Sequence, residues 1–221
     1  MQGCNYKLFI FDMDGTLLDT SQGILQAARH TIEVFHKVMP SDEVLRTFIG
    51  PPLRSSFGAL PDVSVDEIDD MVKCFRKQYS EKELFHAVVY DGIIPLCQRL
   101  KLSDIQVAVA TNKPERFAKQ LVQHFHLDEY MSVVCGADEQ GNLTKADLIY
   151  KVMDLTHIED KSQAVMVGDT FGDADAAYKC GIDFIGVTYG FGLSDDKDDA
   201  IHSRAIHTAS SPYEIYEGDD L

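Results

Sequence analysis

The sequence is short of positive charge. Its 221 residues carry 36 acidic and 20 basic side chains, for a formal net charge of -16. A field of that sign repels polyanions, which argues against nucleic acid or an anionic membrane as a partner. It also opposes any anionic ligand, which then needs cations or helix N-termini placed locally. Long apolar runs are missing too. The first apolar stretch, Leu8–Phe11, stops at Asp12, and no run is long enough for a signal peptide or membrane span. The five cysteines (Cys4, Cys74, Cys97, Cys135 and Cys180) are scattered and odd in number. That spacing disfavours a zinc knuckle or a redox pair and suits small buried hydrophobes in a reducing compartment. No repeat or low-complexity tract is present. The expected setting is the cytoplasm, with the chain a monomer or homodimer.

What is present is enough to fold: apolar residues make up 45% of the chain, ordinary for a globular protein with a real core. Lys7–Phe11 reads as a buried strand delivering acids to a sheet edge. From Ser21 to about Val88 no convincing strand appears. Ile24, Ala27, Ala28, Thr31, Ile32 and Phe35 recur at helical spacing after Ser21 as N-cap. Pro40, Gly50-Pro51-Pro52 and Pro61 break the chain, and Ser64 caps a further helix to about Leu84. This stretch is expected to be a separate helical bundle, residues 19–88. After Asp91-Gly92 helices and strands alternate. Helices are expected at Ile93–Lys101, from Pro114 in the first turn to His126, at Lys145–Leu155 after a Gly141-Asn142 turn, and at Ala174–Cys180 with Gly181 as C-cap. Strands are expected at Gln106–Ala110, Met131–Cys135, Ala164–Val167 and Phe184–Val187. This alternation predicts an α/β core, residues 1–18 and 89–221, with a parallel sheet and helices on both faces. Ligands bind such sheets beyond the carboxyl ends of the strands, and Asp12, Thr111 and Asp169 fall there on three different strands.

Asp12-Met13-Asp14-Gly15 sets two carboxylates side by side. Like charges ~4 Å apart repel by about 4 kcal/mol at an effective dielectric of ~20. Asp169 and Asp173 add two more. For a single acid pair the plain reading is turn and cap residues; acids following two separate apolar strands make it untenable. A hard divalent cation resolves the repulsion, and Mg²⁺ takes one or two carboxylates with water and substrate phosphate. Asp12 and Asp169 are the expected side-chain ligands, with the Asp14 carbonyl as a third and Asp173 orienting a bound water. The Thr111 hydroxyl, with Asn112, is placed to hold a phosphate oxygen, and Lys145 to supply an ammonium. Adding formal charges for the four acids, Mg²⁺ and Lys145 leaves one negative charge, which favours Asp14 as a protonated general acid.

Phe11-Asp12-Met13-Asp14-Gly15-Thr16-Leu17-Leu18-Asp19-Thr20 resembles the first motif of the haloacid dehalogenase superfamily. Thr111-Asn112-Lys113-Pro114 is similar to the second motif, Lys145 to the third, and Gly168-Asp169-Thr170-Phe171-Gly172-Asp173 to the fourth. The resemblance implies a Rossmann-like core with an inserted α-helical cap, and a Mg²⁺-dependent phosphatase with an aspartyl-phosphate intermediate on Asp12. Asp14 would protonate the leaving alkoxide and then deprotonate water. Within the superfamily the similarity runs to phosphoglycolate phosphatase-like proteins. Ile49-Gly50-Pro51-Pro52-Leu53 resembles their cap loop facing the active site, which makes Gly50 and Arg54 candidate substrate contacts. Tyr90-Asp91-Gly92-Ile93 resembles the return from the cap, with Asp91 where Pro is usual. Lys145 is followed by Ala146 where the motif often has Pro, so Lys113 is a rival for the phosphate-contacting cation. The substrate class implied is a small phosphorylated metabolite: phosphoglycolate, a nucleotide or a sugar phosphate.

A phosphosugar mutase of the β-phosphoglucomutase type would share this core, but the helix around Ile24 is apolar and lacks its histidine, with His30 further along. A dehalogenase lacks the second acid that Asp14 supplies. A receiver-like signalling module carries its acidic pair and its phospho-acceptor on different strands and needs no cap. His86, His124, His126 and His157 lack metal-ligand spacing, and Asp195–Asp199 reads as a solvated loop.

Overall fold

The computed structural model describes residues 6–138, 142–192 and 204–216. Cys4, Gly141, the acidic run 195–199 and the tail 217–221 lie outside these residues. The chain divides into two compact units, Met1–Leu18 with Val89–Leu221, and Asp19–Val88. In chain order the elements are β1 (Leu8–Phe11), β2 (Leu18–Asp19), α1 (Ser21–Val34), α2 (Asp42–Arg46), α3 (Leu53–Gly58), α4 (Val65–Gln78) and β3 (Val88–Val89). They continue with α5 (Ile93–Leu102), β4 (Gln106–Pro114), α6 (Glu115–His124), β5 (Met131–Ala137), α7 (Lys145–Thr156), β6 (Ala164–Gly168), α8 (Phe171–Cys180), β7 (Asp183–Val187) and β8 (His207–Ala209).

The larger unit is built on a six-stranded parallel sheet of order β5-β4-β1-β6-β7-β8. Central β1 is buried at all four residues, as a strand with parallel neighbours on both sides and covered faces must be. Because side chains alternate along a strand, Leu8 and Ile10 join one face. There they pack with Ala108, Ala110 and Met166 from the neighbouring strands and with Leu148, Ile149, Val152, Ala174 and Ala177 from α7 and α8. Phe9 and Phe11 point the other way, and Phe9 meets Tyr6 and Tyr216 edge to face. Register does the rest. Phe11 pairs with Val109 on one side and Val167 on the other, so the three adjacent strands reach one level together. That level carries Asp12, Thr111 and Asp169.

Several elements differ from the sequence-based expectation. β4 runs on to Pro114 because Thr111 and Pro114 still find partners in Gly136 and Ala137 across a register shift. Pro114 accordingly caps α6 in extended geometry (φ -50, ψ 130) and is not in its first turn. α8 starts at Phe171, three residues early, because Thr170 and Asp173 form a reciprocal capping box. That arrangement satisfies the exposed amides of the first turn. β8 was not anticipated. Among the described residues its three residues pair with β7 alone, and they are too few and too polar to show a strand period.

The smaller unit is helical. Its aromatic core links Phe48, Phe57, Phe75 and Tyr79 through ring contacts of 5.1 to 6.2 Å. Thr20, not Ser21, stands at the N-cap of α1, and the Ser21 amide donates to Asp19 Oδ1 at 3.0 Å. Ser64 caps α4 with Glu67 accepting from its amide and hydroxyl at 3.0 and 2.8 Å, and a π-turn at Tyr79–Glu83 extends the helix. Gly50 has φ +101, a left-handed conformation that side-chain-bearing residues avoid. β2 and β3 form a separate two-stranded pair. Among the described residues no helix is long and apolar enough to cross a membrane.

Candidate active site

Asp12 leaves β1 with its amide donating to Val167 O at 2.9 Å. Behind it the chain turns sharply, with Gly15 at φ +82. A Cβ at Gly15 would stand 2.2 Å from Asp169 Oδ2, so glycine is what lets the turn approach the neighbouring strand end. Asp169 follows β6 directly and is fully buried. Its Oδ2 accepts from the Phe191 and Gly192 amides at 2.7 and 3.2 Å, and its Oδ1 from the Thr16 hydroxyl at 3.4 Å. Asp173, also fully buried, uses Oδ2 to accept from the Thr170 amide and hydroxyl at 3.0 and 2.6 Å. Carboxylate oxygens of Asp12, Asp169 and Asp173 lie within 4.8 Å of one another.

Two lysines answer these acids. Lys145, first residue of α7 and 7% exposed, bridges Asp12 Oδ1 at 2.7 Å and Asp173 Oδ1 at 2.8 Å, and donates to Ala110 O at 3.1 Å. Lys113, 8% exposed, pairs with Asp14 Oδ1 at 3.0 Å. Both candidates of the sequence reading therefore stand among the acids, on different partners. The charge sum made from sequence counted Lys145 alone; Lys113 also stands at the site, on Asp14.

The remaining predicted residues divide. Thr111 is buried and its Oγ1 accepts from the Lys113 amide at 3.2 Å, while Asn112 is exposed. Arg54 lies in α3 of the smaller unit, where it pairs with Asp69 and is largely exposed. His86 Nδ1 donates to Glu83 Oε2 at 2.8 Å in the same unit, and Cys97, Cys135 and Cys180 are buried free thiols. The sequence reading missed the segment after β7. Tyr189 donates its phenol to Thr16 O at 2.9 Å, and Phe191 and Gly192 hold Asp169. The available signal was Gly190-Phe191-Gly192, two glycines just past a strand end.

Burial, then Asp173 and Asp12, push Asp169 up to about 7, against the pull of its two amide donors. Burial also leads at Asp12. The Lys145 ammonium opposes it, but with Asp173 and Asp14 adding to burial the carboxyl is pushed up to about 6. Burial alone would lower Lys145; the adjacent Asp12 and Asp173 carboxylates outweigh it and hold the ammonium above its ordinary range. The cluster is short of positive charge, and its all-oxygen donors suit a hard cation.

A carboxylate cluster with two buried lysines thus stands at the carboxyl edge of the parallel sheet. A family model described as haloacid dehalogenase-like hydrolase matches residues 9–187, and the chain belongs to that family. The tyrosine-protein kinase PtkA of Mycobacterium tuberculosis is 30% identical over 206 residues, covering 92% of this chain and 69% of PtkA. The 5'-nucleotidase of Pseudomonas aeruginosa is 31% identical over 192 residues, 86% of each chain. A solved haloacid dehalogenase-like hydrolase from Streptococcus pneumoniae superposes with a TM-score of 0.87 at 29% identity, covering 96% of this chain and 97% of that one. Other relatives are named phosphoglycolate phosphatase. The chain is a phosphoric monoester hydrolase of phosphoglycolate phosphatase-like type.

Proposed function

We propose that the chain hydrolyses a small phosphate monoester, phosphoglycolate-like, nucleotide or sugar phosphate, through an aspartyl-phosphate on Asp12 with Mg²⁺ as cofactor. The observation that carries this reading is Lys145 seated between Asp12 and Asp173, which leaves the nucleophile and its counter-charge in one buried contact. Asp12 and Asp169, with the Asp14 carbonyl, would hold Mg²⁺, and Asp173 would orient its water. When bound, the cation supplies positive charge against the phosphoryl oxygens.

Asp12 attacks phosphorus as the ester P–O bond breaks, and Asp14 gives its proton to the departing alkoxide. Asp14 then takes a proton from water as that water attacks phosphorus, and the Asp12–phosphoryl bond breaks to release phosphate. Splitting one displacement in two lowers each barrier. Lys145 neutralises charge as it builds on the phosphoryl oxygens, and the Thr111 hydroxyl and Asn112 orient one of them. Lys113 keeps Asp14 in place between the two half-reactions. Gly50 and Arg54 are the proposed cap contacts with substrate, Arg54 through an anionic tail.

A panel of phosphorylated metabolites assayed for phosphate release with and without Mg²⁺ tests the reading. Repeated release from a small monoester supports it. Isomerisation of a sugar phosphate without net release would support the mutase instead. Transfer to a protein tyrosine, the acceptor in PtkA's name, would replace water in the second step.

A further inference from the structure

The segment after β7 takes no part in the chemistry above, yet it grips the site from two directions. Phe191 and Gly192 donate their amides to Asp169 Oδ2, and the Thr16 hydroxyl donates to Asp169 Oδ1. The Tyr189 phenol donates to the carbonyl of the same Thr16 at 2.9 Å. The contacts close a ring from the loop to Asp169, from Asp169 to Thr16, and from Thr16 back to the loop. Between the two ends sits Gly190. A Cβ there would stand 2.4 Å from Gly15 O and 2.5 Å from both Asp169 Cβ and Oδ2. The loop backbone therefore lies directly against both the Gly15 turn and the Asp169 side chain. An aspartate has two rotatable bonds, and here donors on both oxygens fix them.

We propose that loop 189–192, anchored by the Tyr189 phenol, is a positioning element for Asp169 that sets the protein's affinity for Mg²⁺. The proposal rests on Asp169 as a Mg²⁺ ligand. It gives Tyr189 a role through Thr16 and Asp169, since its own hydrogen bond ends on a backbone carbonyl. Groups that orient a metal ligand typically contribute 10- to 100-fold to metal affinity.

Tyr189→Phe is the conservative probe. The ring packs on Tyr90 at 4.8 Å between centroids, so the variant loses the hydroxyl and keeps the packing. Thr31→Val is the control. It also removes one buried hydroxyl that donates to a carbonyl, Ala27 O at 2.9 Å, but in the smaller unit. Mg²⁺ binding is measured by calorimetry on the full chain without substrate, with circular dichroism confirming the fold. Tyr189→Phe should weaken the Mg²⁺ Kd about tenfold or more, Gly190→Ala further still, and Thr31→Val less than about twofold. Wild-type Kd in both loop variants, or an equal loss in Thr31→Val, overturns the positioning role while leaving the Mg²⁺ reading intact. A wild-type chain that binds no Mg²⁺ overturns the metal reading and this proposal together.

Discussion

Replacing Lys145 with methionine removes a buried ammonium and keeps most of its volume. The ammonium contacts Asp12 and Asp173 at 2.7 and 2.8 Å, and Asp169 completes the same acidic cluster. Deleting one partner of a buried pair costs about 3–5 kcal/mol, because the other charge is left uncompensated. The loss should depend on pH, and the acids set its direction. A carboxyl whose folded value is raised contributes stability that is complete below its unfolded value and lost as pH rises through the folded one. For Asp12, at about 6, and Asp169, at about 7, the window runs from about pH 4 to 7. Lys145 keeps its proton throughout that window. Removing the ammonium takes away the main opposition to burial at Asp12, so that carboxyl rises further in the variant, and the cost is greatest at pH 8, where the wild-type acids are ionised. At pH 5 they are largely protonated and the cost should fall to about half or less. Urea unfolding in the presence of a chelator, followed by far-ultraviolet circular dichroism, reads both numbers. An equal loss at both pH values, or less than about 1 kcal/mol at pH 8, would refute the charge balance drawn from the structure.

The same acids make cofactor binding pH-dependent: the rise in melting temperature on adding Mg²⁺ should be small at pH 5 and grow to pH 8, as the protons that compete for Asp12 and Asp169 leave; a rise that is flat with pH would contradict those two groups as ligands. Asp14→Asn should slow phosphoryl transfer strongly for alkyl phosphates and much less for p-nitrophenyl phosphate, whose leaving group needs little protonation; equal losses in single-turnover kinetics would remove the general-acid role. Arg54→Ala should change stability by less than about 1 kcal/mol, since its pair with Asp69 is exposed, yet raise KM for substrates with an anionic tail about tenfold or more. An unchanged KM would leave specificity to other residues of the helical unit.

The parallel sheet was legible because its signals are local. Each buried strand is a short apolar run ended by an acid, a threonine or a glycine, and each following helix shows its own spacing. The ends were less legible, for reasons of tertiary contact. β4 is carried to Pro114 by partners on β5, and no property of Thr111-Asn112-Lys113 announces that pairing. The acids of the site could be read from Asp12-Met13-Asp14 and Gly168-Asp169, whose spacing is tight and follows strands. The division of labour between the lysines could not, because Lys113 and Lys145 differ only in which carboxylate the fold brings to each. The loop at 189–192 was hidden for the same reason: its contribution is made through backbone amides, which every residue but proline possesses.

The central claim, a phosphoryl group carried on Asp12, is open to direct measurement. The chain is mixed with Mg²⁺ and p-nitrophenyl phosphate, quenched in acid during turnover, reduced with borohydride and digested. An acyl phosphate is reduced to an alcohol, so the peptide spanning residue 12 should contain homoserine in place of aspartate by mass spectrometry, and Asp12→Asn protein should give none. Sustained turnover with Asp12 unmodified, or reduction at a different carboxylate, would contradict the account.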